Sequence, residues 1–411
     1  MNLKLYERIE MKKIFLFACL MLLGSQLFGD DKVYRLRLAS TWEATTPVLG
    51  AAAEDFKNYA ESLSGGRLQI RIDTPSKHKA SFGVFDFVKS GQYDLGYTSL
   101  YYYKGKDAKT MLWTAVPFGM TTDEQHAWYY YGGGRELNDK MFAQYGMKTF
   151  LMGSTGMQMG GWFKKEINSV ADLQGLKFRI PGLGGEVMSK LGATINTVPT
   201  GELFMALEMG TIDAVEWVSP VYDMPLGFHK VAKYYYTGWQ EPMGDCQLLV
   251  NQKALEKLPA DLQAILEAAA RLAGENFQNK GFYENARIWA ELKAQFPDVQ
   301  VRDFPADVIV ALKKATNEIL DEEAAKDPMF KEILDSQRAF LKIGREWNKI
   351  STVAYINNVS GIAGESAANP ISVGSSGTTN PDSASSENHS AASDSNATDG
   401  KNLGATNRPA Q

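Results

Sequence analysis

Segments with the patterns of strands and helices alternate near the start of the chain, and this alternation limits the fold more than any other feature. The patterns predict strands at 33–39 and 68–73, a turn followed by a third strand within 91–97, and helices at 47–64 and 82–90. Such an order is typical of an α/β fold with a parallel, doubly wound sheet. In sheets of this kind, ligands bind beyond the carboxyl ends of the strands.

The length of the chain indicates its number of domains, and its net charge argues against one class of partner. The chain has 411 residues, 44% of them hydrophobic and 22% charged, which is enough for a globular protein of two domains. The formal net charge of −5 comes without a basic stripe, so we predict no nucleic-acid partner. From residue 361 the sequence is rich in Ser, Ala, Asn, Gly and Thr, and we predict a disordered tail at 361–411.

The N-terminal region has the pattern of an export signal. Met11-Lys-Lys precedes a short apolar run at 14–23, and the small residue Gly29 follows at a suitable cleavage point. We therefore predict a signal peptide at 1–29 and a periplasmic location. After cleavage Cys246 is the remaining cysteine, and we interpret it as a small buried residue rather than a nucleophile.

Catalytic patterns are weak in this sequence. It contains no Gly-x-Ser-x-Gly elbow, and its histidines are not spaced as metal ligands, so we predict that the protein is not an enzyme. The histidines are His78, His126, His229 and His389.

Arg179 is the most informative single residue. It lies in the otherwise apolar segment Leu-Lys-Phe-Arg-Ile-Pro, just before the glycine-rich helix start at 182–185. A guanidinium matches a carboxylate with two parallel hydrogen bonds, and a helix N-terminus offers further N–H groups to an anion. We favour a ligand role for Arg179, and the alternative is that it faces solvent from an edge strand.

Glu216 follows another apolar segment that we predict to be a buried strand. A buried carboxylate is costly unless it is paired or binds a cation, and hard cations prefer oxygen ligands. The amide oxygen of Gln158, the backbone carbonyl of Trp217 and the carboxylate of Glu241 would complete such a set. The alternative is a salt bridge between Glu216 and Arg179, with Gln158 a core amide.

Four longer motifs occur together in this chain. They are Asp94-Leu-Gly-Tyr-Thr-Ser, Ala115-Val-Pro-Phe-Gly-Met, Leu173-Gln-Gly-Leu-Lys-Phe-Arg-Ile-Pro-Gly and Pro199-Thr-Gly-Glu-Leu-Phe-Met-Ala-Leu-Glu-Met-Gly-Thr-Ile-Asp-Ala. With these motifs the chain resembles, from about residue 33 to residue 358, the periplasmic solute-binding proteins of TRAP (tripartite ATP-independent periplasmic) transporters.

Three shorter motifs resemble the branch of that family that binds 2-oxo acids and related monocarboxylates with a metal ion. They are Gly156-Met-Gln-Met-Gly-Gly-Trp162, Gly182-Leu-Gly-Gly-Glu and Ala214-Val-Glu-Trp217. The resemblance implies that Arg179 pairs with the ligand carboxylate. It implies that Gln158, Glu216 and Trp217 bind a sodium or calcium ion beside the acid. The resemblance also implies Glu241 as a further metal ligand and Tyr103 as a ligand-binding residue.

The resemblance also implies the architecture, a type II-like binding protein with two α/β lobes joined by a hinge and long C-terminal helices. We predict lobe I at 30–153 and 243–283, and lobe II at 154–242 and 284–360. Relatives of this branch can dimerise through the long C-terminal helix, so we expect a homodimer.

The functional hypothesis is capture of a small 2-oxo or 2-hydroxy monocarboxylate and its delivery to the permease subunits of a TRAP transporter. Two alternatives remain open at this point. One is a ligand sensor for a membrane receptor kinase, and the other is a periplasmic enzyme that acts on keto acids.

Overall fold

A computed structural model describes residues 32–196, 198 and 200–360, the last without its side chain. The predicted signal peptide at 1–29 and the predicted tail at 361–411 lie outside the described residues. Contacts divide the chain into one compact unit that ends at Ala354 and a second that begins at Tyr355. All elements discussed below for the site belong to the first unit.

The regular elements follow the predicted alternation in the first part of the chain. The strands are β1 Tyr34–Ser40, β2 Leu68–Asp73, β3 Leu95–Thr98, β4 Met147–Ser154, β5 Gly161–Phe163, β6 Lys177–Arg179, β7 Thr194–Ile195, β8 Ala214–Val215, β9 Tyr234–Tyr236, β10 Asp245–Asn251 and β11 Gln300–Arg302. The helices are α1 Leu49–Leu63, α2 Pro75–His78, α3 Val84–Ser90, α4 Thr122–Tyr131, α5 Gly134–Ala143, α6 Gly182–Lys190, α7 Leu203–Glu208, α8 Pro220–Asp223, α9 Gln252–Glu256, α10 Ala260–Gln295, α11 Ala306–Lys326, α12 Pro328–Ile350 and α13 Thr352–Ser360.

The first sheet has the strand order β2-β1-β3-β10-β4. β1 is parallel to both β2 and β3, as predicted, but β10 is antiparallel to β3 and to β4. The expectation of a purely parallel sheet is therefore wrong. A parallel strand needs a crossover that returns the chain to the same end of the sheet, whereas β10 enters directly from the second sheet.

The second sheet has the strand order β11-β9-β5-β8-β6-β7 and is also mixed, because β5 is antiparallel to β8 and β9. Its strands are shorter than the sequence predicts: the apolar segment 212–218 forms a strand only at Ala214–Val215. Just after β8, the backbone N of Glu216 still donates a hydrogen bond to the carbonyl oxygen of Arg179 on β6, at 2.9 Å. Beyond it, the backbone N of Val218 donates to the Asp223 carboxylate at 3.1 Å instead of to a strand.

Two helical regions show detail that the sequence pattern does not predict. The glycines at 132–134 are predicted to stop a helix, and α4 does end at Tyr131, but Gly134 also begins α5, and Gly133 supports the turn between them with a φ of 86°. The region 306–357, for which the pattern predicts a long final helix, forms three helices. Asp327 caps α12 by accepting hydrogen bonds from the backbone N of Met329 and of Phe330, and Pro328 takes the first helical position.

Two connecting segments, residues 155–160 and 237–244, link the sheets and are called the crossing segments here. The first joins β4 to β5, and the second joins β9 to β10. Each sheet with its flanking helices forms a lobe, which gives the two-lobed α/β fold that we predicted. The exact lobe boundaries stay a prediction, although Ser154 belongs to a strand of the first sheet rather than to lobe II.

Candidate functional site

The crossing segments lie side by side and are joined by hydrogen bonds between their backbones. Gln158 N donates to Glu241 O at 3.0 Å, and Thr155 N donates to Gly244 O at 3.1 Å. Their close approach requires glycine at position 238, because a Cβ atom there would lie 1.8 Å from the carbonyl oxygen of Gln158. Gln158 and Glu241 are therefore fixed as neighbours although they are far apart in the sequence.

Arg179 ends β6 and is buried, with an exposed fraction of 7%. Its Nη1 donates to the backbone carbonyl of Glu216 at 2.5 Å. Its guanidinium carbon lies 5.1 Å from the centroid of the Trp217 ring. The alternative of a solvent-facing arginine on an edge strand is wrong, because β6 lies between β7 and β8.

The salt-bridge alternative for Glu216 explains only part of the geometry. Arg179 Nη1 lies 3.7 Å from Glu216 Oε2, which is an ion pair but too long for a hydrogen bond. Neither carboxylate oxygen of Glu216 has a hydrogen-bond partner, and the residue is fully buried. The nearby amide of Gln240 donates to Met159 O at 2.8 Å instead. Buried oxygens of this kind normally bind a donor or a cation.

Two more buried oxygens without a hydrogen-bond partner belong to the crossing segments. They are Oε1 of Gln158 and Oε2 of Glu241. The Gln158 amide nitrogen donates to Thr155 Oγ1 at 2.9 Å, which sets the orientation of that side chain. Among the described residues no three His, Cys, Asp or Glu side chains cluster as a metal site, so a cation here would take two carboxylates together with amide and backbone oxygens.

Burial makes both carboxyl groups weak acids, and repulsion by Glu241 adds to the effect at Glu216. Burial, and then the charge of Glu241, raise the pKa of Glu216 well above its ordinary value, while Arg179 opposes the rise. Burial raises the pKa of Glu241 to about 8, again against the effect of Arg179. The single charge of the Arg179 guanidinium cannot neutralise two ionised carboxylates. A further positive charge would therefore stabilise the ionised pocket.

Two adjoining cavities are lined by Arg179 and Trp217. The smaller one, of about 20 Å³, is lined by Thr155, Gln158, Arg179, Trp217 and Gly244, among others. The larger one, of about 350 Å³, shares Arg179 and Trp217 with it and reaches the start of α6 at Gly182. Aromatic side chains of the first lobe lie on both cavities: Trp42, Tyr101 and Tyr102.

The structure brings Gln158, Arg179, Glu216, Trp217 and Glu241 together, and it does not bring Tyr103 to them. Residues 100–103 form a 3-10 turn, so successive side chains point in different directions.

The hydroxyl of Tyr103 lies 2.9 Å from Thr98 Oγ1 and its ring packs against Phe85. Tyr101 and Tyr102 take the place on the cavities that we expected for Tyr103. Sequence reasoning also missed Trp42, although its position just beyond the carboxyl end of β1 was a usable signal.

Comparison with known proteins assigns the chain to a family. The family model described as "Bacterial extracellular solute-binding protein, family 7" (DctP) matches residues 38–327. A monocarboxylate 2-oxoacid-binding periplasmic protein of Nostoc sp. (strain PCC 7120) is 39% identical over 324 residues, which cover 79% of this chain and 88% of that protein.

Two similar crystal structures are TRAP periplasmic solute-binding proteins. That of Colwellia psychrerythraea, with bound calcium and pyruvate, is 52% identical with a TM-score of 0.78 and covers 80% of this chain and 100% of its own. That of Pseudoalteromonas atlantica T6c, with bound sodium and pyruvate, is 50% identical with a TM-score of 0.77 and covers 79% of this chain and 99% of its own.

The family binds solutes for transporters and is not a family of enzymes, as we predicted for this chain. From the family match, the identity to these relatives and the shared fold, we conclude that the chain belongs to family 7 of the bacterial extracellular solute-binding proteins, the solute-binding proteins of TRAP transporters.

Proposed function

We propose that the protein captures a small 2-oxo or 2-hydroxy monocarboxylate together with a sodium or calcium ion and delivers the acid to a TRAP permease. The observation that carries the proposal is one guanidinium beside buried oxygens of Gln158, Glu216 and Glu241 that lack hydrogen-bond partners. The similar structures with bound pyruvate and a metal ion support it.

The residues divide into two sets in this proposal. Arg179 binds the carboxylate of the acid, and Trp217 packs beside its guanidinium. Gln158 Oε1, the carboxylates of Glu216 and Glu241, and the backbone carbonyl of Trp217 bind the cation. Hard cations such as sodium and calcium take oxygen ligands of these kinds.

The charge of the pocket bears on which cation binds. With both carboxylates ionised, Arg179 and a bound monocarboxylate leave two negative charges in excess. A calcium ion would neutralise them, whereas a sodium ion would leave one. The raised pKa of Glu241 offers a second way to reach neutrality, because a retained proton on this group would let sodium suffice. Calcium should therefore bind more tightly at alkaline pH, where both groups are ionised.

The proposal also includes a periplasmic location and assembly as a homodimer. The N-terminal pattern at 1–29 supports export to the periplasm. None of the helices in the described ranges combines the length and the apolar character of a membrane span. The side chains of Ile343, Trp347 and Ile350 are exposed on α12, which supports a homodimer that covers them.

Calorimetry with pyruvate tests the ligand role of Arg179. We expect Arg179→Ala to weaken binding about 100-fold or more, since removing one partner of a buried charge pair costs on the order of 3 kcal/mol. Arg302→Ala is the matched control, because Arg302 is an exposed arginine of the same lobe that pairs with Glu166 at 2.9 Å. Unchanged affinity in Arg179→Ala would remove this residue from the site and overturn the proposal.

A further inference from the structure

Another cavity, of about 180 Å³, borders the second crossing segment at Met243. Its walls come from both lobes, because α11 packs on α6 of the second lobe, while α12 packs on α4 and α5 of the first. We call it the hinge cavity. Its apolar lining includes Phe118, Met120, Met243, Leu320, Leu334 and Leu341.

One buried amide on this cavity has no hydrogen bonds. Gln125 has an exposed fraction of 1%, and both its Oε1 and its Nε2 lack a partner. Gln337 lines the same cavity but donates its Nε2 to Leu112 O at 2.8 Å. Gln125 therefore offers a donor and an acceptor side by side in an otherwise largely apolar space, which is costly unless something pairs with both.

We propose that the hinge cavity is a second binding site, for a small apolar molecule with a primary amide or lactam head group. Such a head group carries a donor next to an acceptor and so complements both atoms of the Gln125 carboxamide. The size suits a compact ring or short chain, since a protein cavity of about 150 Å³ can hold benzene. The exposed side chains of Lys313 and Asn317 line the same cavity at the protein surface and leave it open to entry from solvent.

The hinge cavity and the acid site share the second crossing segment. Met243 lines the hinge cavity, and the next residue, Gly244, lines the smaller ligand cavity. Phe118 N, from the wall of the hinge cavity, donates to Trp239 O at 3.0 Å, two residues before Glu241. An occupant of the hinge cavity therefore contacts the segment that holds Glu241, and it should change the affinity for the acid. This coupling rests on the proposed function, whereas binding in the hinge cavity does not.

Benzamide is the probe that tests the site, titrated into the full-length protein by NMR and calorimetry. We expect saturable binding that Gln125→Leu weakens by about 10-fold, because the hydrogen-bonding pair is lost while the volume is nearly kept. Leu341→Trp, which fills the cavity from its half-buried side and leaves Gln125 intact, should abolish binding. Pyruvate affinity without benzamide should stay within about twofold in Gln125→Leu, which reports an intact fold. For Leu341→Trp, which itself fills the cavity, a cooperative urea unfolding transition like that of the wild type reports the intact fold.

The coupling has its own measurement. Saturating benzamide should change the pyruvate affinity of the wild type by about fivefold or more, and saturating pyruvate should change the benzamide affinity by the same factor. The binding proposal is overturned if benzamide does not bind, if it binds Gln125→Leu or Leu341→Trp as it binds the wild type, or if crystals grown with benzamide show only water on the Gln125 amide. Benzamide binding that depends on Gln125, without any pyruvate binding, would overturn the proposed function and leave the hinge site standing.

Discussion

At the scale of single residues, the site contains acidic groups whose burial costs free energy. Glu216 and Glu241 are buried acids with raised pKa values, and both have side-chain oxygens without partners. Burying an unpaired polar group costs free energy, and Arg179 offsets only part of that cost for the two acids. Their retention in the interior is understandable if a bound cation compensates that cost.

The titration of Glu241 gives a pH prediction for cation binding. Its folded-state pKa is raised from the ordinary 4.5 to about 8, so a proton occupies the carboxylate near neutral pH in the protein without cation. A cation must displace the proton on Glu241, and Glu216 also has a raised pKa, so the cation affinity should rise as the pH increases through this range.

Calcium titrations of chelator-treated protein between pH 6 and 9 would measure this dependence. Glu241→Gln should bind calcium more weakly and with a shallower pH dependence, because the titrating group is gone. A calcium affinity that is constant over this range in the wild type would contradict the assignment.

The position of the Gln158 amide gives a second prediction at this scale. A Cβ atom at Gly244 would lie 2.4 Å from Gln158 Nε2 and 2.5 Å from Thr155 Oγ1, so Gly244→Ala must push the amide out of its place. We expect calcium affinity to fall by about 10-fold, consistent with the loss of one positioned ligand. Gly105→Ala is the control, since a Cβ there meets no atom within 4 Å. Equal calcium affinity in the two variants would show that Gln158 is not a metal ligand.

At the scale of elements, Asp73 connects the strands of the first lobe. It ends β2, and its buried carboxylate accepts hydrogen bonds from Arg71 at 3.1 Å and from the hydroxyl of Tyr93 at 3.0 Å. Lys77 lies 2.7 Å away, and Arg37 of β1 lies 3.4 Å away. Burial by itself would raise the pKa of Asp73, but these partners hold it well below its ordinary range.

Asp73→Asn should therefore destabilise the protein at pH 7 by about 1–3 kcal/mol, the usual contribution of hydrogen bonds to a charged group. Because the folded-state pKa is lowered, the stabilisation is complete above the ordinary pKa and is lost as pH falls below it. The difference between variant and wild type in urea unfolding should thus shrink below about pH 4.

Asp335→Asn serves as the control, since Asp335 is an exposed acid in an ion pair within one helix, and such pairs contribute about 0.5 kcal/mol or less. If Asp73→Asn lowers the free energy of unfolding at pH 3 by as much as at pH 7, the electrostatic explanation is wrong.

At the scale of the whole molecule, the candidate site joins the two lobes. Tyr101 and Tyr102 come from the first lobe, Arg179 and Glu216 come from the second, and Glu241 lies on a crossing segment. A ligand bound among them contacts both lobes at once, so it should favour the closed arrangement and resist unfolding.

Pyruvate and calcium together should therefore raise the melting temperature. At a ligand concentration of 100 times the dissociation constant, the stabilisation is about 2.7 kcal/mol, which corresponds to several degrees for a protein of this size. Scanning calorimetry would measure it, with chelator added to remove the cation and acetate as a carboxylate that lacks the 2-oxo group. An equal rise with acetate, or no loss of the rise with chelator, would count against a site that uses both the cation and the 2-oxo oxygen.

The sequence by itself determined features that depend on neighbouring residues along the chain. The alternating pattern predicted β1, α1 and β2 nearly to their ends, because periodicity and turn residues act locally. A guanidinium inside an apolar segment marked Arg179, and a carboxylate after a buried strand marked Glu216, since burial makes such groups costly without a partner. Family motifs added the roles expected of Gln158 and Trp217.

Only the tertiary structure decided features that depend on contacts between distant segments. It decided that Tyr101 and Tyr102 rather than Tyr103 line the cavities, because the direction of each side chain follows from a turn whose packing is not local. It decided the antiparallel direction of β10, because that strand enters from the other sheet. It also placed Glu241 beside Gln158 and left Gln125 without a partner, because both depend on how two lobes meet at the crossing segments.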